Sequence, residues 1–252
     1  MNNSCINFTN VNKRYTISDN GSYASLRDDI ANILNFKKKK KTHLEAIKTM
    51  SFTINKGEIV AFIGHNGAGK STLLKLISKI TQPTEGKIKV NGRVATLMEL
   101  GAGFHHELSG RENIAFFAAI LGMNKEEMIE AAPKIIEFSE LGDFIDIPVK
   151  KYSSGMQLRL GFSIAVHVNP DIFLLDEIFA VGDKQFTQKC FKKIDELIAK
   201  NITFILVSHN EEIIKKIATR ALLFDHGQLV FDGDVNEAYN RYNSTIKIET
   251  KL

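Results

Sequence analysis

Three short stretches of the chain, EIVAFIG, DIFLLD and TFILVS, are almost wholly apolar, whereas INFTNV, MSFTIN, KIKVNG and QLVFDG alternate apolar with polar positions. Continuous runs of this length between turn residues predict strands covered on both faces, and alternation predicts strands with one face toward water. With RVATLM and ALLFDHG they make nine strands. Helical spacing of apolar residues appears in STLLKLISKI, RENIAFFAAILGM, KEEMIEAAPKIIEFSEL, SGMQLRLGFSIAVHV, QFTQKCFKKIDELIAK and NEEIIKKIATR, and a last helix is expected over Val235 to Tyr242. Strands dominate the start, helices the middle, and strands alternate with helices later. The expectation is an α/β protein: an N-terminal antiparallel β layer, a parallel-sheet core, and a helical subdomain inserted at about residues 100–160. No internal repeat is visible. Asp19 to His43 is the weakly patterned span, holding a short candidate helix, YASLRDDIANILNF, and then five lysines.

Composition changes this picture little. A chain of 252 residues with 44% hydrophobic content can bury a full core, so one globular domain over residues 1–252 is expected. The net charge of +4 is concentrated in Lys37–Lys41, too local to argue for nucleic acid. That run reads either as a solvated loop or, if the protein sits on a membrane, as a contact with anionic lipid headgroups. Cys5 and Cys190 stand far apart with no paired spacing, which predicts packed thiols in a reducing compartment rather than a disulfide or zinc scaffold. The N-terminus lacks the layout of a signal peptide, and no apolar run approaches the ~18 residues of a membrane span, so a soluble chain is expected.

The candidate chemistry begins after the strand EIVAFIG. Gly64, Gly69, Lys70 and Ser71 fit GxxxxGK[ST] between a strand and a helix, the order a P-loop requires. Glycines are needed because backbone N–H groups must close around phosphate oxygens with no side chain in the way, and the helix that follows aims its N-terminus at the same anion. Lys70 is expected to reach the β- and γ-phosphates, and Ser71 to coordinate Mg²⁺. The strand of NPDIFLLDE ends in Asp176 and Glu177: Asp176 at the strand end can hold the Mg²⁺ shell, and Glu177 can act as general base toward an attacking water. After ITFILVS, His209 stands at the C-terminal edge of the sheet, within reach of a γ-phosphate. No guanine-reading Asn-Lys-x-Asp motif occurs, which favours ATP. His105 and His106 read as a polar loop rather than metal ligands, since no third ligand is suitably spaced.

GHNGAGKST, DIFLLDE, AVGD at Ala180–Asp183, VSHN and YSSGM together resemble the ATP-binding cassette family over nearly the whole chain. The resemblance implies a P-loop NTPase core of RecA type, with His65, Asn66, Gly67, Ala68 and Thr72 joining Gly64, Gly69, Lys70 and Ser71 around the phosphates. It makes Glu177 and His209 the catalytic pair, and Tyr15 in NKRYTI an adenine-stacking residue, where an ordinary edge-strand tyrosine is the other reading. YSSGM resembles the LSGGQ signature, so Ser153, Ser154 and Gly155 would cap the ATP held by a second subunit, in a homodimer. The Q-loop region, TLMELGAGFHHELSGRENI, has no glutamine; Glu99 is nearest by spacing and would join Ser71 and Asp176 at the metal.

IIEFSELGDFI, KKYSSGM and DEIFAVGDKQF resemble the branch that exports lipid-linked polysaccharides such as O-antigen, teichoic acid and capsular glycans. That branch implies an ATPase on the cytoplasmic face of the membrane, bound to a dimer of a transmembrane permease that handles the glycan. A lipid or drug exporter and a non-transport cassette ATPase are the alternatives. The latter usually carry two cassettes or a long coiled-coil insert, and this sequence has neither. Because the chain ends soon after the Val235–Tyr242 helix, no C-terminal carbohydrate-binding module is expected.

Overall fold

A computed structural model describes residues 3–17, 42–96, 103–176, 183–208 and 210–249. The helix expected in YASLRDDIANILNF and the run Lys37–Lys41 lie outside the described residues. All nine expected strands are present, in two sheets. In the first, β1 (Ser4–Ile17) lies between β2 (Thr42–Asn55) and β4 (Glu85–Val90), and both pairings are antiparallel. In the second the order is β5 (Val94–Thr96), β6 (Ile172–Asp176), β7 (Thr203–Val207), β3 (Ile59–Ile63), β8 (Arg220–Asp225), β9 (Gln228–Gly233), parallel throughout except for the terminal β8–β9 hairpin.

The parallel sheet is the divider of the molecule. Every residue of β3 and of β7 is buried, as their unbroken apolar runs require. Because successive side chains point to opposite faces, each strand feeds two cores. Ile59, Ala61, Ile63, Phe173, Leu175, Phe204 and Leu206 face the helical side, while Val60, Phe62, Ile172, Leu174, Ile205 and Val207 pack with the antiparallel sheet and with α1 (Lys70–Ile77). On that second face Phe8 and Phe52 stack at 4.3 Å, and Phe62 meets Phe224 edge-on at 5.1 Å.

β1 and β2 are 14 residues each, more than twice the length of the alternating cores INFTNV and MSFTIN. Their outer halves escape a period-two reading because the β1–β2 register shifts three times between Phe8 and Arg14, and Asn10 takes a left-handed φ of 49°. The ladder continues through this extension to Ile17 with Thr42, and on its exposed surface Arg14 pairs with Glu45 and Glu85.

The helical region comprises α2 (Gly110–Ile120), α3 (Lys125–Ser139), two short 3₁₀ turns at Gly142–Asp146 and Val149–Lys151, and α4 (Ser154–His167). Both α2 and α3 open on capping boxes, Ser109 with Glu112 and Asn124 with Glu127. Fully buried Asn113 pins the approach to α2, its amide donating to the carbonyls of His105, Leu108 and Ser109. The remaining helices are α5 (Lys184–Ala199), α6 (Glu211–Ile217) and α7 (Val235–Glu249). Cys5 and Cys190 are both buried and free, and burial pushes the Cys190 thiol up to about 12.

Packing in the helical region can be tested at two points. Tyr152, immediately before α4, is buried and donates its hydroxyl to the Phe144 carbonyl at 2.6 Å. A Cβ on Gly110 would stand 2.2 Å from that hydroxyl oxygen. Gly110→Ala should therefore cost about 1–3 kcal/mol in urea unfolding. Tyr152→Phe alone should cost about 1 kcal/mol, and the double variant less than the sum, because the oxygen that the new methyl meets is gone.

The second point is His167, whose ring packs on Phe138 and whose Nδ1 donates to the Ser163 carbonyl at 2.7 Å. Burial, followed by Lys193 and Lys134, holds it below its ordinary value of 6.5 despite the Ser163 bond. The unfolded chain therefore takes up this proton first. The contribution is fully present above about pH 6.5 and is lost as pH falls from there toward the lower folded value. His167→Gln should flatten the stability loss between about pH 7 and about pH 5.5, read from urea midpoints.

Candidate functional site

The loop between β3 and α1 is built by close approach. Gly64 has φ 152° and Gly69 φ 102°. A Cβ at Gly64 would stand 2.3 Å from the Phe224 carbonyl oxygen, and one at Gly69 would stand 2.6 Å from Ile47 Cδ1 and 2.9 Å from the Ala46 carbonyl oxygen. Both positions thus exclude any other residue. Gly67, at φ 85°, has nothing within 4 Å of its added Cβ and leaves the outer face of the loop open. Ala68 is fully buried beneath, and Asn66 is exposed above. Gly69 caps α1 without a side chain, so no side-chain acceptor occupies the N–H groups of the first turn, where an anion binds best. Lys70 Nζ donates to the carbonyls of Gly64 at 2.6 Å and His65 at 3.0 Å, folding its ammonium into the loop.

This loop is one wall of a cavity of about 700 Å³. Of the residues singled out in the sequence, Tyr15, Asn66, Gly67, Gly69, Lys70, Ser71, Thr72 and Asp176 line it together. Gly64, His65 and Ala68 shape the loop without lining the cavity. Tyr15 comes from the β1 extension, opposite Leu44 of β2, and the Lys13 ammonium lies 4.8 Å from its ring centre. Asp176 arrives from the end of β6, two strands from β3. The Ser71 hydroxyl and the Asp176 carboxylate on one cavity are hard oxygen donors, the kind Mg²⁺ takes. The loop's cradle and donor set fit a polyphosphate with that ion.

Val207, the first residue of VSHN, also lines the cavity. Leu44, Glu45, Ala46 and Lys48 of β2 and the turn residues His226 and Gly227, which belong to none of the sequence motifs, complete the wall. The only sequence signal among them is the Asp225-His226-Gly227 turn.

Ser153, Ser154 and Gly155 do not line this cavity. They sit at the start of α4, where Ser153 Oγ accepts from Met156 N at 3.2 Å, and both serines are exposed. Glu99, Glu177 and His209 lie outside the described residues, as do Ala180, Val181 and Gly182 of the AVGD stretch. Its last residue, Asp183, caps α5 by accepting from Gln185 and Phe186 N–H, and pairs with Arg159 of α4. Those backbone bonds, chiefly that from Phe186, and then Arg159 hold its carboxyl below the usual range. Arg159 also pairs with Glu140 and stacks on Phe186 at 4.7 Å, so it joins the signature helix to α5. No sequence motif pointed to it. His105 and His106 are exposed in the loop before α2, as read from the sequence.

Comparison with known proteins gives these features a family. The model of the ABC transporter family matches residues 47–180. The O-antigen export system ATP-binding protein RfbB of Klebsiella pneumoniae is 42% identical over 246 residues, spanning 96% of this chain and 98% of that protein. The teichoic acids export ATP-binding protein TagH of Bacillus cereus is 40% identical over 242 residues, spanning 96% of this chain and 43% of that protein. Among solved structures, the dimeric post-hydrolysis ATP-binding cassette MJ0796 bound to ADP and Pi aligns with a TM-score of 0.69 at 20% identity, over 91% of this chain and 98% of that one. An ATP-binding subunit of an ABC transporter aligns with a TM-score of 0.74 at 19% identity, over 99% of this chain and 100% of that one. The two structures share the fold, an ABC ATPase domain, and the family match and the relatives carry the identification: this chain belongs to the ABC transporter family.

Proposed function

We propose that this protein is the ATP-hydrolysing motor subunit of an exporter that moves a lipid-linked polysaccharide, of O-antigen, teichoic acid or capsule type, across the cytoplasmic membrane. The observation that carries the ATPase part is the cavity in which the P-loop, Tyr15 and Asp176 converge. The cargo class rests on the 42% identity with an O-antigen export ATP-binding protein along nearly the whole chain.

In this reading Tyr15 offers a ring face to adenine, and the N–H groups of the loop and of the first turn of α1 hold the phosphates. Lys70 exchanges its two loop carbonyls for the β- and γ-phosphates. Ser71 and Asp176, with Glu99, would hold Mg²⁺, which when bound neutralises developing phosphate charge. Glu177 takes the proton of the attacking water, and His209 contacts the γ-phosphate. A second copy presents Ser153, Ser154 and Gly155 at the positive end of its α4 to the same γ-phosphate, so the site is complete only in a homodimer. Arg159 acts as a positioning residue, tying that helix to Asp183. Hydrolysis removes the shared contact and lets the copies separate, and a permease dimer converts the motion into transport.

No helix among the described residues is long and apolar enough to cross a membrane. Membership of the ABC transporter family and the likeness to an export-system ATP-binding protein support placing this chain on the permease at the cytoplasmic face. There the Lys37–Lys41 run would meet anionic lipid.

Tyr15→Ala should weaken ATP binding about tenfold, the scale of one lost base stack, with Tyr15→Phe close to wild type in equilibrium binding of a fluorescent ATP analogue. The decisive experiment replaces Lys70 with Ala in the source cell and compares glycan at the surface with lipid-linked glycan facing the cytosol. Loss outside with accumulation inside is expected. Unchanged amounts in both places would refute glycan export. Glu177→Gln should trap an ATP-dependent dimer in size-exclusion chromatography, and a variant that stays monomeric with ATP would refute the shared site.

A further inference from the structure

Behind the P-loop, His65 meets the turn of the β8–β9 hairpin. Its Nδ1 lies 2.6 Å from the Asn66 carbonyl oxygen, which can only accept, so Nδ1 carries the hydrogen. In the neutral ring the lone pair is then on Nε2, and Nε2 is 2.9 Å from Asp225 Oδ1. A lone pair and a carboxylate oxygen thus face each other at hydrogen-bond distance, and a positive charge belongs between them. A third donor converges on the same place: His226 Nε2 is 3.8 Å from that Oδ1, and one ligand atom from each of the three residues falls within 4.8 Å of the others.

We propose that His65, Asp225 and His226 form a binding site for a divalent cation of the Zn²⁺ class, which fastens the P-loop to the β8–β9 hairpin. Three observations carry it. Tetrahedral zinc with bonds of ~2.0–2.1 Å sets its donor atoms about 3.4 Å apart, and the two distances to Asp225 Oδ1 bracket that value. The bond from His65 Nδ1 to a backbone carbonyl is the outer-shell contact that orients a ligating imidazole. Two imidazoles and one carboxylate suit Zn²⁺, Co²⁺ or Ni²⁺, whereas Mg²⁺ takes oxygen. The site is in this respect unlike the Ser71 and Asp176 pair.

His226 and Gly227 form a two-residue hairpin turn with φ of 43° and 75°, and histidine is among the residue types that accept such a φ. His226 is two-thirds exposed and can close the remaining gap by turning its ring, leaving a coordination position open toward solvent. His226 also lines the cavity beside Gly227, so a bound ion would stand next to the nucleotide wall. The proposal does not rest on the ATPase reading.

The test uses the full chain without a histidine tag, freed of metal with a chelator and kept free of nucleotide and Mg²⁺. Co²⁺ is added while its visible d–d bands are followed, and Zn²⁺ then displaces it in a calorimetric titration. One equivalent should bind with micromolar affinity or tighter. His226→Asn keeps a residue that tolerates the turn and should weaken binding at least about tenfold, as should His65→Gln. The paired substitution His105→Ala, His106→Ala should leave it unchanged. No stoichiometric uptake would overturn the proposal, as would uptake indifferent to both His226→Asn and His65→Gln, or uptake lost with His105 and His106. So would ¹⁵N NMR showing His65 protonated on both ring nitrogens with Zn²⁺ present, since a proton would then fill the gap.

Discussion

The site depends on one steric constraint: the backbone of the P-loop is pressed between β2 and the β8–β9 hairpin. Gly64 lies against the Phe224 carbonyl and Gly69 against Ile47 and the Ala46 carbonyl, with no space for a Cβ at either. The hairpin turn reinforces the contact from both sides, since Gly227 N–H donates to the Ala68 carbonyl and Lys48 N–H donates to the Gly227 carbonyl. A loop that must keep its N–H groups directed outward gains nothing from flexibility. Here its conformation is set by neighbours distant in sequence.

That arrangement explains why two cores are needed. The second core, in which α1 and the antiparallel sheet pack on Val60, Phe62, Leu174 and Ile205, fixes the loop and Tyr15 relative to one another. The first core carries α4 and α5 on the other residues of the same strands. Asp176 stands at the end of β6, where the strand leaves the sheet. The helical side and the phosphate end of the sheet thus share the same strands, and Arg159, paired with Asp183 and Glu140, ties α4 to α5.

The legibility of these features in sequence follows their range. Buried parallel strands announce themselves as unbroken apolar runs, and the P-loop by its spacing, because both are local. The outer halves of β1 and β2 were not legible: bulges break the alternation, and the ladder from Arg14 with Glu45 to Ile17 with Thr42 pairs segments far apart in the chain. Leu44, Lys48 and His226 join the cavity only through pairing of segments far apart in the chain. Arg159 was likewise invisible, an arginine on an amphipathic helix until Asp183 and Phe186 are placed beside it.

The departure of YSSGM from LSGGQ has a similar origin. Tyr152 fills a leucine's place because its ring is buried while its hydroxyl reaches the Phe144 carbonyl, and the room for that oxygen is the missing side chain of Gly110. The anchor sets the point at which α4 begins. Ser153 follows as the N-cap, accepting from Met156 N–H with one lone pair and retaining its own hydrogen to donate. Exposed, at the positive end of a helix whose first turn holds no acidic residue, that hydroxyl is suited to an anion brought by another molecule. The same residue therefore closes its own helix and, in the proposed dimer, completes its neighbour's site, which is why the loop needs small polar residues and no acid or base.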